Sequence, residues 1–211
     1  MEITWLGYSC VRIRTKQAIV LMDPFERSGG LDMGRPTADI VTISHHAPLY
    51  DHVAGVKGTP MVIEGPGEYE VKGVQILGVP MLLRPEQTGE KGGRNVAFML
   101  EAEGLHVAQL GGIGVQPTAD DAEPLSNADI LIVPIGEGTL DPEQAARTVR
   151  MLEPSIVIPV GYRFDEAEQD PRLKAFLAAA GIEPEPAVSK LAVQGRSLGD
   201  AQRVVLLEAR G

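Results

Sequence analysis

Asp39-Ile40-Val41-Thr42-Ile43-Ser44-His45-His46-Ala47-Pro48-Leu49-Tyr50-Asp51-His52 changes character at its middle. The first six residues are an apolar run of the length and β-branched content of a buried strand. The remaining eight form a loop that holds imidazoles and a carboxylate, the side chains that bind metals and move protons. Working outward, β-type runs come first: Glu2 to Leu6, Cys10 to Thr15, and Ile19 to Met22, the last leaving through Asp23-Pro24. On the C-terminal side, Met61 to Glu64 and Glu68 to Leu77 are split by Gly65-Pro66-Gly67, which is strong turn chemistry. Asn95 to Ala102 and Leu105 to Leu110 flank Glu103-Gly104, which predicts a hairpin. Between Gly89 and Arg94 a polar, glycine-rich stretch predicts a hairpin tip rather than a phosphate cradle, since no helix start follows it.

Helical signals enter late. Asp141-Pro142-Glu143-Gln144 has a capping residue, proline at the first helical position and glutamine three residues after the cap. Ala145, Val149 and Leu152 then recur on one face, and Pro154 closes the segment. Ile156-Val157-Ile158 predicts a buried strand, Pro171 to Ala180 a second helix stopped by Gly181, and Arg203 to Glu208 a final strand. No repeat and no linker interrupts the chain, so residues 1–211 are expected to form one domain of α/β or α+β layers.

The net charge of −10 and the lack of any dense Lys/Arg run exclude a nucleic-acid backbone as the main partner. Aromatics are only 4% of residues, so the core must come mainly from Val, Ile, Leu, Ala and Met. The lone Cys10 cannot form an internal disulfide, and Met1-Glu2-Ile3-Thr4-Trp5 carries no leader pattern. No apolar stretch approaches the roughly 18 residues a membrane span requires. The expectation is a cytoplasmic protein that binds neither membrane nor nucleic acid, with a homo-oligomer left open.

The order of local motifs resembles the metallo-β-lactamase superfamily, in its branch of small, lactonase-like zinc-dependent hydrolases. Trp5-Leu6-Gly7, Leu21-Met22-Asp23-Pro24, the Ala38-to-His45 strand and Gly65-Pro66-Gly67-Glu68-Tyr69-Glu70-Val71 carry the likeness, together with Leu110-Gly111-Gly112-Ile113-Gly114, Val133-Pro134-Ile135-Gly136 and Ile158-Pro159-Val160-Gly161-Tyr162. The resemblance implies a four-layer αββα sandwich. It also implies a His-x-His-x-Asp-His loop that holds one or two metal ions, completed by a bridging Asp and a further His from later strand ends. A zinc ion so held lowers the pKa of its water and makes the nucleophile.

Laid on that pattern without gaps, only the first ligand remains, as His45. Ala47, Leu49 and Tyr50 stand where the second His, the Asp and the third His belong. Gln109 and Gly112 stand at the His and bridging Asp of the next stretch, Gly161 at the last His, and Tyr8 where relatives often carry a histidine. Leu83-Arg84 similarly replaces a His-Asp pair. Ala, Leu and Gly donate no electron pair from a side chain, so the leading expectation is a non-catalytic domain without a cofactor. Its emptied pocket, at Tyr8, His45, Ala47, Leu49, Tyr50, Gln109, Gly112 and Gly161, would take a small molecule or a protein partner. Tyr8, Tyr50 and Tyr162 are expected to converge on it. Under the alternative, a two-residue insertion brings in Asp51 and His52, and His45, Asp51 and His52 hold a single Zn, Fe or Mn ion, with Glu68 or Asp23 as a fourth ligand. The chain would then hydrolyse an ester, lactone or phosphoester. A third role is that of a structural subunit paired with an active relative. His106, in an alternating strand, is read as structural.

Overall fold

The computed structural model describes residues 1–85, 93–163, 167, 169–194, 198–199 and 201–210, so the glycine-rich stretch at 89–92 lies outside the described residues. The strand read at Asp39–Ser44 is β4 (Ile40–Thr42), buried along its whole length. It sits in a six-stranded sheet with β1 (Glu2–Gly7), β2 (Cys10–Arg14), β3 (Ile19–Met22), β5 (Met61–Ile63) and β13 (Leu191–Ala192), in the order β13-β1-β2-β3-β4-β5. Pairing is antiparallel from β13 to β3 and parallel from β3 to β5.

The second sheet has eight strands. Its sequence-ordered members are β6 (Gly67–Val71), β7 (Val74–Leu82), β8 (Arg94–Ala102), β9 (Leu105–Gln109), β10 (Ile130–Pro134), β11 (Ile156–Val160), β12 (Pro184–Val188) and β14 (Arg203–Leu207), and they lie in the order β12-β14-β11-β10-β9-β8-β7-β6. β10 and β11 are parallel and buried at every residue, which is why they read as unbroken apolar runs. The run predicted from Glu68 to Leu77 is in fact two strands. Lys72 and Gly73 both have positive φ, and they turn β6 back on β7 in a tight hairpin that the alternation alone did not show. Glu103-Gly104 makes the same kind of turn between β8 and β9, as predicted.

Strand alternation divides the core in two. Ile3, Trp5, Val11, Ile13, Val20 and Met22 face the large sheet and form the main core with residues such as Ile76, Phe98 and Ile132. Cys10, Leu21 and Val41 point the other way and are covered by Phe25, Met33, Ala38 and Val56 from the connecting segments. Of the helices, α1 (Ala119–Ala122) is short, while α2 (Pro142–Leu152) and α3 (Pro171–Ala180) lie together and α2 packs on β10. The layers are those of a metallo-β-lactamase-type sandwich. Among the described residues, no helix is long and apolar enough to cross a membrane.

β1, β3 and β4 run in one direction, and so do β9, β10 and β11, so the residues after their C-terminal ends gather at one rim of the sandwich. That rim carries Tyr8, Asp23, His45, Gly112 and Gly161. Ligands bind at the carboxyl ends of parallel strands in many α/β proteins, so the topology marks this rim as the candidate site.

Candidate functional site

The buried end of the site is a knot of polar groups that joins the two sheets. Ser44 donates its N–H to Asp23 Oδ1 at 2.7 Å, and its carbonyl accepts from Val96 N at 2.8 Å. Asn95 Nδ2 donates to the Leu110 carbonyl, while Asn95 Oδ1 accepts from Gly112 N at 2.9 Å. The approach at Gly111 is so close that an added Cβ would lie 2.2 Å from Ser44 Cβ, so only glycine fits there, and its φ of +63° demands the same.

Asp23 is fully buried, with a left-handed backbone (φ +50°), and its Oδ2 has no hydrogen-bond partner. Burial pushes its carboxyl up from 3.8 to about 7, against the opposing pull of the Ser44 amide and hydroxyl. Gln109 is also buried. It donates from Nε2 to the Ser9 carbonyl at 2.6 Å and leaves Oε1 without a partner.

His45 stands at the mouth of this knot. Its Nδ1 is 3.2 Å from Ser44 Oγ, and its ring stacks on Tyr50 with centroids 3.9 Å apart. On the other side the ring presses on Gly112, where a Cβ would lie 2.4 Å from His45 Cε1. The imidazole therefore fills the space that the side chain of a bridging aspartate at position 112 would need. Burial lowers its pKa from 6.5 to about 4, with Asp51 pulling the other way, so the ring is neutral near pH 7. Tyr50 is pushed up to about 12 by burial, offset in part by the neighbouring Ser9 hydroxyl, and stays a phenol.

The predicted pocket positions do not form one pocket. His45, Ala47, Leu49 and Tyr50 line a cleft of about 520 Å3, with Leu83 as a further apolar wall and Glu26 and Arg27 at its edge. Tyr8 and Gly161 line a separate cleft of about 480 Å3 with Tyr162. Gln109 and Gly112 are buried behind both. The three tyrosines accordingly do not converge: Tyr50 lies on His45, whereas Tyr162 stacks on Trp5 at 4.9 Å and donates to the Leu207 carbonyl.

The alternative metal trio is also dispersed, because the loop closes on itself as a turn. The N–H groups of Tyr50 and Asp51 both reach the Ala47 carbonyl, and this sends the next side chains outward. Asp51 pairs with His46 at 3.2 Å, His52 lies 3.8 Å from Glu26, and His45 stays with Ser44 and Tyr50. Glu68 is on the edge strand β6, in a different groove with Glu101 and His106. His106, read as structural, sits between Glu101 and Asp129 at 3.6 and 3.5 Å. Among the described residues no three His, Cys, Asp or Glu side chains are grouped as a metal site. Ala47, Leu49, Gly112 and Gly161, where the resemblance leads one to expect ligands, offer no side-chain donor, so the residues grouped here do not fit the metal that the resemblance implies.

Sequence reasoning did not single out Ser44 or Asn95, and it named Leu83 only as part of a replaced His-Asp pair, not as a wall of the cleft. Ser44 carried a signal, since it precedes the first loop histidine and ends a buried strand. Asn95 carried none, because its partners are 15 and 17 residues away in the chain.

Residues 2–161 match the family described as the beta-lactamase superfamily domain. A UPF0173 metal-dependent hydrolase from Methanopyrus kandleri is 29% identical over 203 residues, covering 81% of this chain and 88% of the relative. Another from Lysinibacillus sphaericus is 29% identical over 211 residues, covering 84% and 92%. Among solved structures, a Thermotoga maritima protein described as a Zn-dependent hydrolase of the metallo-beta-lactamase superfamily superposes with a TM-score of 0.79. It is 29% identical and covers 99% of both chains.

Proposed function

This chain belongs to the β-lactamase superfamily, and from that premise we propose that its cleft binds a small organic ligand without a metal-activated water. The observation that carries the reading is the seat of His45: its ring occupies the place of a bridging carboxylate at Gly112 and is held there by Tyr50 and Ser44. The cleft beside it has apolar walls at Ala47, Leu49 and Leu83, with a neutral imidazole and a protonated phenol between them. Such a surface favours an uncharged molecule with an apolar body and one or two hydrogen-bonding groups, the chemistry of an ester or lactone.

The second reading is a metal-dependent hydrolase of an ester, lactone or phosphoester. The named relatives favour it over a non-catalytic role, since they are called metal-dependent hydrolases and match across most of their length.

One experiment separates the two. The purified chain is exposed to zinc, manganese and iron(II), assayed for bound metal by elemental mass spectrometry, and then titrated with a panel of esters and lactones. The His45 and Tyr50 ring signals are followed by NMR. The proposal expects no metal above background and saturable shifts at both rings. Near-stoichiometric metal, with hydrolysis abolished by a chelator, would overturn it in favour of the second reading. Absence of metal together with unmoved ring signals would sink the ligand site itself.

A further inference from the structure

Between the two clefts stands a very small hairpin. Ser28 and Leu31 exchange backbone hydrogen bonds, Leu31 N to Ser28 O at 2.8 Å and Ser28 N to Leu31 O at 3.1 Å. Gly29 and Gly30 turn the chain with φ of +56° and +86°, the two positive values a two-residue turn of this hand needs. The hairpin is an exposed excursion between two buried anchors, Phe25 and Met33. Its first strand is anchored at Glu26, whose N–H donates to the Pro48 carbonyl. Ser28 belongs to the wall of the His45 cleft, whereas Gly29, Gly30 and Leu31 belong to the wall of the Tyr8 cleft. One short segment thus partitions a rim on which the family's ligand positions would otherwise face a common centre.

Tyr8 holds that partition in place. Its backbone is left-handed (φ +47°), an unfavourable conformation for a bulky residue, and the Trp5 indole N–H donates to its carbonyl at 2.8 Å. So held, the ring stands edge-on to Phe25 at 5.0 Å, and its hydroxyl reaches the hairpin tip, where a Cβ on Gly29 would lie only 2.6 Å away. We propose that Ser28–Leu31 is a latch, closed by Tyr8 against Gly29, and that its opening joins the two clefts into one elongated site. Tyr8 then sets the length of ligand the rim accepts. The purpose of the latch rests on reading the rim as a ligand site, but its opening does not.

The test therefore needs no ligand. Amide hydrogen exchange of the full chain is measured for wild type, Gly29→Ala, Tyr8→Phe and the double variant, alongside acrylamide quenching of Trp5, the only tryptophan. In wild type the Ser28 and Leu31 amides should exchange by local opening, faster than those of Ile13 and Val20 in the neighbouring strands. Gly29→Ala forces a methyl into the Tyr8 hydroxyl and a left-handed alanine into the turn, which should speed hairpin exchange by roughly tenfold or more. Exchange in β2 and β3 should stay unchanged while Trp5 quenching rises. Adding Tyr8→Phe removes the clashing oxygen and should restore part of the protection. Should Gly29→Ala not fold, Tyr8→Phe alone still reads the contact and is expected to speed hairpin exchange modestly. The latch is overturned if the hairpin amides open only with the whole protein. It is overturned equally if neither single variant changes their exchange, or if the second substitution rescues nothing. The metal and ligand titrations are independent of all these outcomes.

Discussion

Helix α2 with its cap and the loop from Ser44 to His52 are of similar length, and they encode their structures in opposite ways. In α2 every determinant is local. Asp141 accepts from Gln144 N at 2.9 Å, Gln144 Oε1 accepts in turn from Asp141 N, Pro142 opens the first turn, and Ala145, Val149 and Leu152 are buried on one face. In the loop the determinants are remote. His45 is placed by Gly112, Tyr50 stays near Ser9, and Ser44 is held by Asp23 and Val96. A segment of the first kind tolerates change in distant residues. A segment of the second kind depends on positions that are conspicuous only for lacking a side chain.

The largest effect should come from testing that dependence directly. Gly112→Asp places a carboxylate in a buried position already filled by the His45 ring, next to an Asn95 oxygen that accepts from the Gly112 amide. Burying an unpaired charge and displacing a ring together should cost about 3 kcal/mol or more, read by urea denaturation. Metal content should not rise. A stable Gly112→Asp protein that takes up zinc would show that His45 moves freely and that its seat is no obstacle to a metal.

A second test breaks the comparison by making the loop local again. Ala47→His, Leu49→Asp and Tyr50→His together restore the short-range His-x-His-x-Asp-His pattern beside His45. The triple variant should bind zinc and gain stability with zinc concentration, by about 2.7 kcal/mol at a hundredfold excess over the dissociation constant. Wild type should show no such gain. A triple variant indifferent to zinc would mean that the missing ligands at Gly112 and Gly161 cannot be spared.

The contrast also explains what could be read from the sequence. The two longer helices were legible to within a residue of their ends, because Asp141-Pro142 and the αL glycine at 181 act through neighbours in the chain, whereas the one-turn α1 was missed. The buried strands at Ile40–Thr42 and Ile156–Val160 were legible because both faces are apolar. The hairpin at Lys72-Gly73 was missed, since strand-like alternation continues on both sides of it. In the site, the sequence named positions along the rim, but their separation into two clefts was not legible. Nothing in Ser28-Gly29-Gly30-Leu31 announces that it stands between Tyr50 and Tyr8. Nor does any spacing reveal that Asp51 turns to His46.

The helix supplies the third test and the reference scale. Asp141→Ala removes one capping bond from an amide that water can partly reach, so about 1 kcal/mol should be lost, with no change in ligand shifts at His45. A loss as large as that of Gly112→Asp would mean that the helix end is coupled to the rim, and the division into local and remote segments would fail.

The smallest net effect in wild type is the most specific, because two buried groups of the site oppose each other in pH. Asp23 titrates near 7 in the folded chain against an ordinary 3.8, because desolvation by burial disfavours its charge. Between those values the folded state holds a proton that the unfolded state has released, so stability falls as pH rises. His45 titrates near 4 against an ordinary 6.5. Between those values the unfolded state holds the extra proton, so stability rises with pH. From about pH 4 to 6.5 the two slopes largely cancel, and above 6.5 only the fall due to Asp23 remains. Substitution should unmask each in turn. Relative to wild type, Asp23→Asn should become progressively more stable as pH climbs from 4 to 7, and His45→Gln progressively less stable from 4 to 6.5. Urea midpoints at half-unit pH steps provide the measurement, and using differences from wild type removes the carboxylates that ion pairs and hydrogen bonds hold low elsewhere, such as Asp39 and Glu103. Parallel pH profiles for all three proteins would mean that water reaches Asp23 and His45 freely. The polar knot beneath the cleft would then be open to solvent, not sealed by the rings of His45 and Tyr50.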